Sequence, residues 1–311
     1  MKFIKSLFAV FLLASSVAMA QPGKTITIVV GFPPGTGNDL AARQVAKDIT
    51  ENGGPNIIVE NKVGAGGNIA VNEVINSDTP KLLLHSNSLY LNSLVTKTMN
   101  IDLQTQLKAV AYIGSVPMVL ETGAGNNIKS FEDIKKAESG KLMYGSGGVG
   151  SLTHANMAYI SHLLNQPMTH VPYQGASRSL TDLAAGRIDL CFDFYNSSKP
   201  FLDDNRLRAL AVTGDKRLKD LPNVPTLREK GIDWPLEAFY MLYASKNMDQ
   251  KTVSELQQLL AKAIRANSEP YERQSIQVDL KKLNDTEKFH QASIQRYQSL
   301  KFPIVLTNEK P

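Results

Sequence analysis

The sequence predicts an α/β protein of two lobes that face each other across a cleft. Short β-branched or apolar runs alternate with segments of helical spacing. The strand-like runs open into loops rich in glycine and small polar residues, at the strand ends where open α/β sheets bind ligands. The alternation restarts after about residue 130, which gives a second set of such loops.

Residues 1–20 read as a secretory leader. Lys2 and Lys5 form a basic start, Leu7 to Leu13 an apolar centre, and Ala18-Met19-Ala20 a small-x-small cleavage site before Gln21. The apolar run is shorter than the roughly 20 residues needed to span a bilayer. No cysteine sits at the cleavage point, so a lipid anchor is not expected. The expected location is the periplasm, after export through the inner membrane.

Ile26 to Val30 is a β-branched strand that breaks at Gly31 into a Pro/Gly loop. A helix follows with Ala42, Val45, Ala46 and Ile49 on one face and stops at Gly53-Gly54-Pro55. Strand, glycine loop and helix N-terminus together make an anion cradle, because unpaired N–H groups and the positive end of the helix dipole point to one spot. Strand 56–60 leads into the glycine-rich loop 61–68, and strand 81–85 into Ser86-Asn87-Ser88. In the second half, Ser130 to Asp133 matches a capping box. Strand 141–144 enters Gly145-Ser146-Gly147-Gly148-Val149-Gly150-Ser151, and a helix runs from about Leu152 to Leu164. Strand 168–172 enters Tyr173-Gln174-Gly175-Ala176-Ser177, and strand 188–193 ends in Asp193. Residues 249–300 carry Val253, Leu256, Leu259, Leu260 and Ile264 at helical spacing and read as scaffold helices packed on the first lobe.

Charge and cysteine usage narrow the function. Removing the leader with its two lysines lowers the net charge from +5 to +3, and the remaining lysines are scattered, so nucleic-acid binding is not expected. Cys191, the single cysteine, lies in an apolar strand and reads as core; no disulfide within the chain and no cysteine metal site can form. No acidic or histidine cluster has metal spacing, and no cofactor is expected.

Gly145-x-Gly147-x-x-Gly150 matches the dinucleotide fingerprint as a pattern. It sits mid-chain, however, and the next strand ends at Val171-Pro172-Tyr173 without an acid for a ribose hydroxyl. A carboxylate on the same amides is the better reading, with Ser146 and Ser151 adding hydroxyl donors. A serine hydrolase using Ser151 and His154 is the rival; no Gly-x-Ser-x-Gly elbow supports it. His154, one helical turn beyond Ser151, can face a ligand or satisfy a carbonyl. Asp39 reads as a helix-start cap or as a partner for a ligand amine. Asp193 can accept from a ligand hydroxyl or ammonium, or brace its loop. Tyr173 is a candidate cleft wall, and Arg178 a possible clamp; Tyr240 reads as core.

Several segments, in order, resemble the Bug-type receptors, the periplasmic solute-binding proteins of tripartite tricarboxylate transporters. They are Val-Gly-Phe-Pro-Pro-Gly-Thr-Gly-Asn-Asp (30–39), Val59–Asn68, Ile113–Pro117, Tyr144–His154, His170–Ala176, Asp182–Leu190, Leu207–Thr213 and Leu221–Thr226. The resemblance implies a two-lobed type II periplasmic-binding-protein fold and no enzymatic activity. It implies a small di- or tricarboxylate or related acid, held largely by backbone amides and waters. The closed complex would be delivered to large and small integral membrane subunits; a sensor docking on a receptor kinase is the other possible partner. By position, Phe32, Pro33, Gly35, Thr36, Ser86 and Asn87 belong to the first jaw, and Ser146, Gly147, Ser151, His154, Gly175, Ala176 and Asp193 to the second. The resemblance places lobe 1 at 21–117 and 222–311 and lobe 2 at 118–221, with crossovers near 116–120 and 208–224; a monomer is expected. This chain departs from the family at Thr36-Gly37, where a Gly-Gly pair is usual, at Ser77–Lys81, and at Ser86-Asn87-Ser88.

Overall fold

A computed structural model of the chain describes residues 25–95, 101–232 and 238–299. The expected leader lies outside them. Ten strands form two five-stranded sheets among the described residues. In the first lobe, β1 (Ile26–Val30), α1 (Gly37–Glu51), β2 (Ile57–Asn61), α2 (Asn68–Ile75), β3 (Lys81–Ser86) and α3 (Ser88–Val95) follow one another. The short α4 (Leu103–Gln106) then leads into β4 (Leu107–Ser115). In the second lobe come β5 (Met118–Gly123), α5 (Phe131–Lys136), β6 (Met143–Ser146), α6 (Leu152–Leu163), β7 (Thr169–Pro172), α7 (Ala176–Ala184), β8 (Leu190–Phe194), α8 (Tyr195–Asp203) and β9 (Leu207–Val212). The chain returns to the first lobe as β10 (Phe239–Ser245), α9 (Gln250–Ala266), α10 (Glu269–Glu272), α11 (Leu280–Asn284) and α12 (Thr286–Ser299).

The two sheets share one plan. Their strand orders are β2-β1-β3-β10-β4 and β7-β6-β8-β5-β9. In each, three parallel strands are followed by one that has crossed from the other lobe and runs antiparallel: β10 against β3 and β4, β5 against β8 and β9. The sheets are therefore mixed, where strand–helix alternation alone predicts parallel ones. A strand that arrives from the opposite lobe enters from the cleft side and so runs against its neighbours.

The chain leaves the first sheet after Ser115 and enters the second at Met118. The return crossover lies later than 208–224. Thr226 forms a parallel bridge with Val212, Leu227 N–H donates to Val212, and Lys230 pairs with Glu132 on α5. Residues 222–232 thus stay with the second lobe, and the chain is in the first sheet again at Phe239.

Central strands are apolar because both faces are covered. Ile28, Val29, Val30, Leu82, Leu83 and Leu84 are wholly buried, each contributing roughly 1.5–3 kcal/mol by transfer from water. This rigid core fixes the strand ends from which the cleft loops spring. The capping box is present at Ser130 and Asp133, and Cys191 is buried between β8 and α7. No helix among the described residues is long and apolar enough to cross a membrane.

Candidate functional site

In the first jaw, the loop after β1 is tied by an acid. Thr36 donates through N–H and Oγ1 to the Pro33 carbonyl, and Gly35, at φ +81°, donates its N–H to Asp39 Oδ2 (2.9 Å). Asp39 also receives Arg43 Nε (3.0 Å) and Asn61 Nδ2 (2.9 Å), and Asn61 Nδ2 reaches the Phe32 carbonyl (2.8 Å). Burial opposes ionisation of Asp39, but the donors from Arg43, Gly35 and Asn61 outweigh it and hold the carboxyl below its usual range. Asp39 is therefore a brace beneath the loop.

In the second jaw, the glycine loop is tied by hydroxyls and imidazoles. Ser146 Oγ meets His170 Nε2 at 2.7 Å, Gly147 N–H donates to Thr153 Oγ1 (2.8 Å), and Gly148 N–H to Ser146 Oγ (3.1 Å). Gly150 N–H donates to His154 Nδ1 (3.2 Å). Ser151 caps α6 by accepting from His154 N–H, and its own hydroxyl donates to the Gly148 carbonyl. The rings of His154 and His170 stack at 3.8 Å, with Tyr144 beyond. Burial pushes the two imidazoles down to about 3 and about 4, so both are neutral at physiological pH. Gly147 borders the cleft, but its amide is committed to Thr153 and not to a ligand. His154 Nδ1 accepts from Gly150 N–H, and it is the His154 backbone N–H, not its ring, that bonds Ser151 Oγ.

The jaws are closed on each other. Gly37 N–H, on lobe 1, donates to Ser197 Oγ, on lobe 2 (3.3 Å). A Cβ at Gly66 would meet the Val149 carbonyl at 2.6 Å, and one at Gly175 would meet the Pro33 ring at 2.5 Å. Between them lies a small cavity, of about 20 Å³, bordered by Phe32, Thr36, Gly37, Asn38, Ser86, Gly147, Ser151, Leu152, Thr153, Asp193, Phe194 and Ser197. Three helices, α1, α6 and α8, begin at this cavity. Their first turns carry N–H groups without intrahelical acceptors and the positive ends of three dipoles. Among the described residues, no lysine or arginine borders it, and Asp193 is its one ionisable residue. Asp193 accepts from Phe194 N–H (2.7 Å), and burial pushes its carboxyl up to about 7.

Of the residues singled out from sequence, Phe32, Thr36, Ser86, Gly147, Ser151 and Asp193 border the cavity. Pro33 and Gly175 meet across the closed rim, and Gly35 is exposed outside it. Ser146, His154 and Asp39 stand behind the loops as braces. Asn87 is fully buried in lobe 1, where its Nδ2 donates to Tyr297 and its Oδ1 accepts from Phe239 N–H. Tyr173 donates to Asp182 and borders a second gap, of about 240 Å³, that Phe32 also borders. Ala176 opens α7. Arg178 is exposed.

Sequence reading missed Gly37, Asn38, Asn196, Ser197 and Tyr240. A Cβ at Gly37 would run into the Tyr240 hydroxyl and the Asn196 amide. Asn38 Oδ1 is buried without a partner among the described residues, and the Asn196 amide and the Tyr240 hydroxyl are buried there with no partner but each other. Buried polar atoms without partners are rare in folded proteins, and here they gather beside the cavity. The signal available was Asn-Asp at 38–39 and Tyr-Asn-Ser at 195–197, each at a helix start.

The chain matches, over residues 41–302, the model of the tripartite tricarboxylate transporter family receptor. It is 32% identical over 257 residues to the protein of the tcbD-tcbE intergenic region of Pseudomonas sp. (strain P51), covering 79% of this chain and 76% of that one. The structure of Rpa4515 of R. palustris with adipate superposes with a TM-score of 0.80 at 26% identity, covering 88% of this chain and 95% of that one. MatC of Rhodopseudomonas palustris with bound malate shares the fold, at TM-score 0.82 and 22% identity, covering 88% and 97%. With its two mixed sheets and interlobe cavity, the chain belongs to the receptor family of the tripartite tricarboxylate transporters.

Proposed function

We propose that this protein is a periplasmic receptor without catalytic activity, exported by a cleaved leader, that encloses a small di- or tricarboxylate between its lobes. It acts as a monomer and hands the closed complex to the large and small integral subunits of a membrane transporter. One observation carries the ligand class: three helix N-termini converge on a cavity bordered, among the described residues, by no basic side chain. Such a site attracts anions while leaving their charge to be met by amides and waters. The adipate and malate held by the two similar structures are of the same class. Closure follows from the geometry, since a ligand that touches α1 on one lobe and α6 and α8 on the other stabilises the closed state by its differential contacts.

A melting panel of mono-, di- and tricarboxylates, amino acids, aromatic acids and sugars tests this. A carboxylate at ~100 times its Kd adds ~2.7 kcal/mol of stability. A sugar or amine that shifts the melt while every carboxylate is silent would refute the class. Delivery is tested in vesicles carrying the two integral subunits, where uptake of the same carboxylate must require added receptor.

A further inference from the structure

Asp193 is the odd residue in an anion site. It is 1% exposed and borders the cavity where α8 begins, so its carboxyl lies beside the place that a ligand carboxylate would occupy. A second acid stands behind it. In the antiparallel pairing of β5 and β8, Val119 faces Asp193 and Glu121 faces Cys191, which puts Glu121 and Asp193 on the same side of the sheet. Glu121 is wholly buried; its Oε1 accepts from Ser198 Oγ of α8 (2.7 Å), and its Oε2 has no partner. The other titratable groups facing this pair are Cys191 of β8 and Tyr240 of β10, both pushed up by burial and neutral. On α8, Lys199 is turned outward to Asp203 and Asp220. On α1, Asp39 is occupied by Arg43. Among the described residues, no cation pairs with Asp193 or Glu121.

Two buried acids without a cation both favour the neutral form, Asp193 at about 7 by burial and Glu121 well above its usual range by burial, with Asp193 adding to it. An incoming anion adds a further negative charge beside Asp193. Resting on the carboxylate reading above, we propose that Asp193 is the specificity-determining residue of the cavity and meets the bound carboxylate as an acid, donating its proton to a ligand oxygen. The protein therefore takes up a proton from solvent when it binds and returns it when the ligand leaves. The favoured ligand is a carboxylate that offers Asp193 an acceptor; a hydroxyl or ammonium at that point would instead require the ionised form.

The test is titration calorimetry of the tightest binder among succinate, malate, adipate, citrate and glutamate, in buffers of differing ionisation enthalpy. Uptake of about one proton per ligand at pH 8, falling toward zero at pH 6, is the expected result, with Kd rising about tenfold per pH unit above 8. Asp193→Asn should keep affinity at pH 6 within about threefold, take up no proton and bind independently of pH. Binding without proton uptake at pH 8 would overturn the proposal while leaving the carboxylate reading intact. So would a large loss of affinity at pH 6 in a folded Asp193→Asn, since that marks an ionised acceptor. Absence of binding by all five acids would overturn both readings.

Discussion

Asp39 and Asp193 are both buried aspartates at the cleft, one per lobe, and they are held in opposite ways. Asp39 collects an Arg43 guanidinium, the Gly35 amide and the Asn61 amide, and its carboxyl is held below the usual range. Asp193 has one backbone donor and no cation, and burial pushes it up to about 7. The first acid is consumed in shaping its loop. The second keeps bonding capacity that only something entering the cavity can use. The lesson is that position at a cleft does not make a residue a ligand partner; unspent hydrogen-bonding capacity does.

The largest expected effect comes from keeping the two jaws apart. Gly66→Ala places a methyl against the Val149 carbonyl of the other lobe. Overpacking of this kind costs about 1–3 kcal/mol, which raises Kd by about 5- to 150-fold in calorimetry. The clash exists only in the closed state, and the left-handed backbone at Gly66 (φ +62°) costs alanine about 1 kcal/mol in either state, so the melting point of the free protein should fall by no more than about 4 °C. An unchanged Kd would mean that the closed contact at Gly66 is not made with ligand present.

Next comes the brace. Asp39→Ala leaves the Gly35 and Asn61 donors unpaired, and urea unfolding should report a loss of about 1–3 kcal/mol at pH 7. A loss that small for Asp193→Ala, with carboxylate binding intact, would erase the distinction between the two acids.

The pH dependences carry opposite signs. For Asp39, with a lowered carboxyl, stability is present above the ordinary carboxylate range and is lost in strong acid. For Asp193, raised to about 7, the contribution is full below the ordinary range and is lost as pH rises through 7. The free protein should therefore lose about 1 kcal/mol between pH 6 and pH 8 that Asp193→Asn does not lose. His154, whose imidazole is held near 3, is neutral when folded, so the unfolded chain binds the proton first. Stability falls by up to about 1.4 kcal/mol per pH unit below 6.5 on its account. A flat melting profile from pH 7 to pH 5 in Asp193→Asn, where the opposing contribution of Asp193 is removed, would contradict the buried neutral imidazole stack.

The cleft loops were legible because they announce themselves locally. Gly-Thr-Gly at 35–37 and Gly-x-Gly-x-x-Gly at 145–150 fall between β-branched runs and amphipathic helices, and period alone places them at strand ends. Roles within the loops were not. Whether Gly147 N–H serves a ligand or Thr153 depends on a side chain six residues away, and whether Asn87 faces the cavity or Tyr297 depends on a helix 210 residues away. Tyr240 read as core because β10 is apolar throughout; its hydroxyl meets Gly37 and Asn196 only after the chain has crossed between lobes twice. The mixed sheets escaped notice for the same reason, since strand direction is set by the crossovers and not by the strands' own residues.

The most direct test is a crystal structure of the protein with its tightest-binding carboxylate. The account expects one carboxyl group in the cavity bordered by Phe32, Asn38, Ser86, Thr153 and Asp193, its oxygens about 3 Å from first-turn N–H groups of α1, α6 or α8, directly or through one water. A ligand held by lysine or arginine side chains, or seated outside the interlobe cavity, would contradict it.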